Sequence, residues 1–251
     1  MRKRYVYSNL MALLLVGVIS GCNKTNSDNN SMGLPSVLPI PPGSIQAPIS
    51  LGSITSGGNN FAVLAHTTVT SIGNTAVTGD LGVWPGTSVT GFGPGIVSGS
   101  IYRGVAPADA AQSSLTVAYN EAAGRPSDAT VAGNLGGQTF HPGVFKSTSS
   151  LSISSGDLTL DALGDSTAVF IFQMASTLTV SSGRQVILSG GAQAANVYWQ
   201  VGSSASLGTT SHFAGTIMAQ ASISIKTGAA LNGRALARDG GVTMQNNAVT
   251  P

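Results

Sequence analysis

Residues able to do chemistry are scarce in this chain. Of its 251 residues 8% are charged, and it has three histidines and one cysteine. A polysaccharide-cleaving or calcium-binding groove needs converging carboxylates. Asp157, Asp161 and Asp165 do cluster, but their spacing suits a polar corner loop; Asp80 and Asp239 fall in turns, and Asp109, Glu121 and Asp128 in or beside a helix. His66, His141 and His212 are far apart and lack the H-x-x-x-H or cysteine partners of a zinc site. No G-x-S-x-G elbow is present, and Gly190-Gly191 reads as a corner that needs positive φ rather than as a phosphate loop. These patterns predict no catalytic residues, no metal and no cofactor.

Hydroxyl groups, in contrast, are abundant and ordered. From His141 onward one short module recurs: an apolar strand, an alternating Ser/Thr strand, a Gly or polar corner and a third short strand. With Ile153, Val180, Leu207, Ile225 and Met244 taken as equivalent, the spacings are 27, 27, 18 and 19 residues. Such repeats point to a solenoid, whose units bury their apolar faces only by stacking. If those five side chains point inward, alternation sends their neighbours outward. The outward set is Ser150 and Ser152, Thr177 and Thr179, Ser204 and Ser206, Ser222 and Ser224, and Thr243, with Thr68 and Thr70 equivalent in an earlier coil. Stacked about 4.8 Å apart, they form a rigid, nearly uncharged array of hydroxyls and methyls that is able to hold ordered water. Ser and Thr also suit any solvated strand face, so the pattern by itself leaves both readings open.

The elements that position this array can be taken in order. Arg2, Lys3 and Arg4 precede an apolar run, Leu10 to Ile19, with the charge and length of a signal peptide over residues 1–21. It ends Ile19-Ser20-Gly21-Cys22, which resembles the bacterial lipoprotein box and predicts lipidation at Cys22, hence export and anchoring to an outer membrane or cell surface. Residues 22–48, rich in Asn and Ser and then Pro, read as an extended tether. With the three leader cations removed from the 11 Lys and Arg, eight remain against 9 Asp and Glu. That near neutrality excludes a nucleic-acid surface, and the domain is expected to be a monomer. The folded domain spans 49–251. Within it the period changes once, from two to about 3.6: Ala111, Leu115, Ala118 or Tyr119, and Ala122 share one face of a helix over about 107–124, with Pro107 at its start and Gly124 at its stop. Its length, roughly 27 Å, lets it run beside the stack and carry the chain from one end to the other. Tyr198-Trp199 is able to stack a sugar, but alternation places one of the pair in the core and leaves at most one exposed.

Specific segments then narrow the choice. Phe61-Ala-Val-Leu-Ala65, Thr78-Gly-Asp-Leu-Gly-Val83, Thr90-Gly-Phe92, Tyr119-Asn-Glu-Ala-Ala-Gly-Arg125, Pro142-Gly-Val-Phe145, Val169-Phe-Ile-Phe-Gln173, Trp199-Gln-Val201 and Gly233-Arg-Ala-Leu-Ala237 together resemble the microbial ice-binding proteins, over about residues 50–251. The resemblance implies a mainly β fold: a right-handed β-solenoid of triangular cross-section, its N-terminal coils stacked beside its C-terminal ones, with one long helix alongside. It also implies that one flat face binds ice, which selects the Ser/Thr array above. Many members carry a capping insertion before the helix; here that stretch, Gly93 to Ala106, is short. The row is richer in serine than in threonine, so moderate activity is expected. The alternative on this scaffold is a cell-surface adhesin or glycan-binding module, whose sign would be exposed aromatic residues or an acidic metal site.

Overall fold

A computed structural model describes residues 46–93 and 95–251; the leader, Cys22 and the tether up to residue 45 lie outside them. Every strand pairing is parallel. The first sheet has nine strands, in spatial order Ile101–Arg103, Asp80–Val83, Phe61–Ala65, Ala235–Ala237, Thr216–Ala219, Val197–Val201, Phe170–Met174, Gly143–Ser147 and Ala129–Thr130. The N-terminal coils are therefore stacked on the last C-terminal coil, through Val63 opposite Ala235 and Leu64 opposite Leu236. A second sheet of eight strands runs beside the first. The third side is split into three and five strands, joined by a bridge between Gln185 and His212. This is a three-sided β-solenoid.

The helix, α1, spans Ala106–Gly124, with Pro107 in its first turn. At 1.5 Å per residue its 19 residues cover about 28 Å, against about 38 Å between the outer strands of the first sheet. Connecting residues on either side make up the difference and carry the chain from the strand Ile101–Arg103 at one end to Ala129–Thr130 at the other. The stripe Ala108, Ala111, Leu115, Ala118 and Ala122 is fully buried. It packs with Leu64, Val144, Ile171, Tyr198, Met218 and Leu236 from the outer side of the first sheet. The first sheet is thus buried on both faces, which is why its strands read as continuous apolar runs.

Inside the solenoid, in-register strands bring like side chains over one another. Phe145, Phe172 and Trp199 form a ladder, with centroids 5.1 and 4.3 Å apart and planes at 28° and 11°. Phe140 meets the first two edge-on, and the Trp199 indole N–H donates to the Ala214 carbonyl at 3.0 Å. Tyr198 points the other way, yet it is 3% exposed because α1 and the segment around Ile49 cover it. Of the pair expected to leave at most one member exposed, neither is available to a ligand.

The stretch Gly93 to Ala106 contains two short strands, Ile96–Val97 and Ile101–Arg103, that complete the N-terminal coil. At the other side of the domain, Arg125 pairs with Glu121 at 2.6 Å and also reaches the Gln46 side chain and the carbonyls of Ala47 and Pro48. Residues 46–48, assigned to the tether by composition, are held against the end of α1.

Candidate functional site

The second sheet carries the hydroxyl array. Its strands, in spatial order, are Ser88–Thr90, Thr68–Ile72, Val242–Gln245, Ile223–Ile225, Ala205–Leu207, Leu178–Val180, Leu151–Ile153 and Gly133–Asn134. The repeat register read from sequence holds: Ile153 pairs with Val180, Val180 with Leu207, Leu207 with Ile225 and Ile225 with Met244, and all five are buried. With that row and Leu151, Leu178, Ala205, Ile223, Val242 and Val69 inward, the residues between them must face out.

The outward row is continuous across the sheet: Thr90, Thr70, Thr243, Ser224, Ser206, Thr179, Ser152 and Asn134, each paired with the next. Beside it lie Ser88, Thr68, Gly241, Ser222, Ser204, Thr177 and Ser150, the residues one strand step away in alternation. Every candidate named from sequence is on this one surface. Four further members, Ser88, Thr90, Asn134 and the side-chain-free Gly241, were not among those candidates. Ser88 and Thr90 had the same alternation as Thr68 and Thr70. Asn134 gave no signal, because it sits in a two-residue strand and its side chain acts as a turn cap.

Part of the array is cross-linked. Thr177 Oγ1 donates to Ser150 Oγ at 2.9 Å, and Thr90 Oγ1 to Thr70 Oγ1 at 3.5 Å. The hydroxyls of Thr179, Ser206, Ser224 and Thr243, in the middle of the row, have no hydrogen-bond partner among the described residues and are free for water. No charged side chain lies in either row; Lys226 stands one step further along its strand, at the margin. Gly208, one alternation step beyond Ser206, is buried, and a Cβ there would lie 2.5 Å from the Ser182 nitrogen. Gly91, which ends the outermost strand, has φ +83° and would place a Cβ 1.6 Å from the Ser71 carbonyl oxygen, so only glycine lets the last coil close on its neighbour.

The groups considered for other chemistry are spent on turns. Asp157 accepts from the Gln185 N–H at 3.0 Å and lies 3.5 Å from Arg184. Asp161 accepts from the Leu163 N–H at 2.9 Å, and Asp165 from Thr167, whose hydrogen bonds hold its carboxyl below the usual range. Asp80 joins three coils by accepting from the N–H groups of Asn60 and Ser100, both at 2.7 Å. His141 Nδ1 lies 3.3 Å from the Asp161 carbonyl. Among the described residues no three His, Cys, Asp or Glu side chains gather as a metal site would require.

Fold and surface define a class: a β-solenoid with one side closed by a helix and a neighbouring side presenting an uncharged, in-register hydroxyl array. The "Ice-binding-like" family matches residues 63–250. An ice-binding protein of Nostoc sp. (strain HG1) is 44% identical over 76% of this chain and 71% of its own length, and one of Flavobacterium frigoris (strain PS1) is 36% identical over 96% of each. Among solved structures, an ice-binding protein from an Antarctic biological consortium superposes with a TM-score of 0.81 at 54% identity, covering 86% of this chain and 96% of that one. One from Antarctomyces psychrotrophicus gives 0.76 at 38%, covering 81% and 98%. The chain belongs to the ice-binding protein family.

Proposed function

We propose that this chain is a non-catalytic ice-binding protein that engages the crystal through the outward rows of the second sheet. The observation that carries the reading is the register. Eight coils present small, uncharged groups at about 4.8 Å intervals, and the four central hydroxyls have no partner among the described residues. Parallel pairing fixes the backbone beneath them, so water bound there loses little further freedom when it joins a lattice. Such a surface depresses the freezing point and restrains recrystallisation by adsorbing to ice, and on an anchored cell it also attaches the cell to ice. The test is the gap between melting and freezing points, with crystal shape, for the soluble domain. Ice growth indistinguishable from that in buffer refutes the reading.

The anchor belongs to the same proposal. Lipidation of Cys22 would hold the monomeric domain at a cell surface, since each buried CH₂ of an acyl chain contributes about 0.8 kcal/mol. The first described residues, Gln46 to Pro48, enter beside Arg125 at the end of α1, on the helix-bearing side. Cys22→Ala should move the protein from the membrane fraction to the soluble fraction; unchanged fractionation removes the anchor from the proposal and leaves the ice-binding reading untouched.

A further inference from the structure

A cleft of about 360 Å³ opens where the third side of the solenoid passes into the first sheet, between the strands Ala230–Asn232 and Ala235–Ala237. Arg234 lines it from that corner. Ala235 points into the core, so alternation turns Arg234 outward, to the side that carries α1. Leu51 and Thr55 line the cleft from beside the turn Gly52–Ile54, and Leu188 and Gln193 from a neighbouring coil. None of the proposed ice-contacting residues and no acidic side chain is among the lining groups.

Arg234 holds the two halves of the solenoid together. Its Nη1 donates to the Phe61 carbonyl and its Nη2 to Asn60 Oδ1 at 2.8 Å, so the last C-terminal coil is tied to the N-terminal ones. These bonds leave N–H groups to spare. Nε has no partner among the described residues, and unlike the sealed Nε of Arg238 it is open to solvent. The guanidinium is half-buried, and burial pulls it below the ordinary arginine range, although it stays charged at ordinary pH. No carboxylate offsets that burial: the ion pairs among the described residues are Arg125 with Glu121 and Arg184 with Asp157. Tyr198 interacts with Arg234, but burial raises its phenol, which is therefore neutral. A half-buried cation with an accessible donor and no counter-charge calls for an anion. The rest of the lining selects the kind. Leu51 and Leu188 offer half-buried apolar surface, and Gln193 and Asn232 offer amides at an exposed margin. A bare inorganic ion would leave the apolar walls wet, whereas a carboxylate on an apolar body meets both, in the manner of pockets with few polar anchors.

We propose that this cleft is a second binding site, for a small organic carboxylate with a compact apolar body, anchored on Arg234. The planar guanidinium fork matches a carboxylate, which would meet it at the accessible Nε. The apolar body would lie against Leu51 and Leu188, with the amides of Gln193 and Asn232 fixing its orientation. Because Arg234 ties the last coil to the first ones, neutralising it stabilises that junction, and occupancy is read as a rise in Tm. The site lies off the ice-binding rows, so both surfaces can be occupied together.

The experiment uses the full chain in low-salt buffer. Benzoate and phenylacetate are the probes, with benzamide as the neutral isostere and sulfate as the inorganic anion, all at matched ionic strength. Calorimetry should show saturable binding of at least one carboxylate, and at about ten times its Kd that ligand should raise Tm by roughly 3–6 °C. Benzamide and sulfate should each bind more weakly by roughly tenfold or more. Arg234→Gln removes the anchor, and Ala195→Glu places a fixed carboxylate at an exposed residue of the cleft lining; each should weaken binding by roughly tenfold or more. Ala195→Glu leaves the bonds of Arg234 to Phe61 and Asn60 in place, so it decides the matter if Arg234→Gln fails to fold. No saturable response to either carboxylate overturns the proposal. So does benzamide or sulfate binding as tightly as the carboxylate, and so does unchanged affinity in a folded Arg234→Gln or in Ala195→Glu. Every one of these outcomes leaves the ice-binding reading standing, because that reading is judged on the second sheet, and Ala195→Glu should keep the wild-type melting–freezing gap.

Discussion

Thr179→Tyr tests the ice-binding surface most directly. Thr179 is exposed in the middle of the outward row, paired with Ser152 on one side and Ser206 on the other. Its Oγ1 has no partner among the described residues to lose, so the substitution should change stability by no more than about 0.5 kcal/mol. For a domain of this size that is a shift in Tm of about 1–2 °C. The effect on ice should be far larger. With coils about 4.8 Å apart, a tyrosine side chain overhangs both neighbours, and three of the eight coils lose access to the crystal. At about 1 kcal/mol per coil, the net worth of one hydrogen bond, roughly 3 kcal/mol is lost, or about two orders of magnitude in the adsorption constant. Ile187→Tyr is the control, because Ile187 belongs to the same coil but is 42% exposed on the third side. The assay is the melting–freezing gap at matched concentration, with Tm measured on the same samples. Full activity in a folded Thr179→Tyr variant would show that ice is met elsewhere, and loss in Ile187→Tyr alone would move the site to the third side.

Two further outcomes concern the scaffold. Ala118 is fully buried between α1 and the first sheet, so Ala118→Arg forces a charge into an apolar contact and should cost about 3 kcal/mol, lowering Tm by roughly 6–12 °C; a Tm within a degree of wild type in thermal denaturation would contradict the packing. Burial raises the Tyr198 phenol above its ordinary value, opposed by a backbone hydrogen bond from Ile49 and by Arg125. The unfolded chain therefore releases this proton near pH 10 while the folded one retains it. Stability that is full at lower pH should fall as pH rises past about 10, by up to about 1.4 kcal/mol per unit, and denaturant titrations of Tyr198→Phe should show a shallower alkaline decline than wild type.

Much of the fold could be read from the chain because stacking in register repeats the same demand in every coil. Ile153, Val180, Leu207, Ile225 and Met244 occupy one interior position, and each must be apolar and of similar bulk, so their spacing reveals the coil length whatever the corners contain. The N-terminal coils read as irregular for a reason visible at that same position. Met244 is paired with Ser71, and the following coil places Gly91 there. Both are small and one is polar, so the marker that identifies the repeat vanishes where the two halves of the solenoid meet. The order of the coils was not in the repeat at all: it depends on α1 returning the chain to the far end, and was available only through the family resemblance.

The ice-binding rows and the flank of α1 differ in legibility because they are built differently. The ice-binding rows come from consecutive alternating residues, so once the inward position is known the outward ones follow, and only side chains at the two ends were missed. At one end the marker is Ser71 and Gly91. At the other, Asn134 closes the row by accepting from the N–H groups of Gly136 and Ser154 at 3.1 and 2.8 Å. The flank of α1 is assembled from a corner after one strand (Trp84), a helix face (Asp109, Gln112) and outward positions of other strands (Gln173, Gln200). Its one trace in the repeats is the glutamine aligned in Phe170–Met174 and Val197–Val201, where Gln173 pairs with Gln200. An amide repeated at an otherwise apolar, helix-covered position has to find partners under the helix. Gln200 finds the Tyr119 hydroxyl at 2.7 Å; Gln173 satisfies its donor and leaves its acceptor open. That difference between two equivalent residues is invisible in the repeat and appears only once α1 is laid across them.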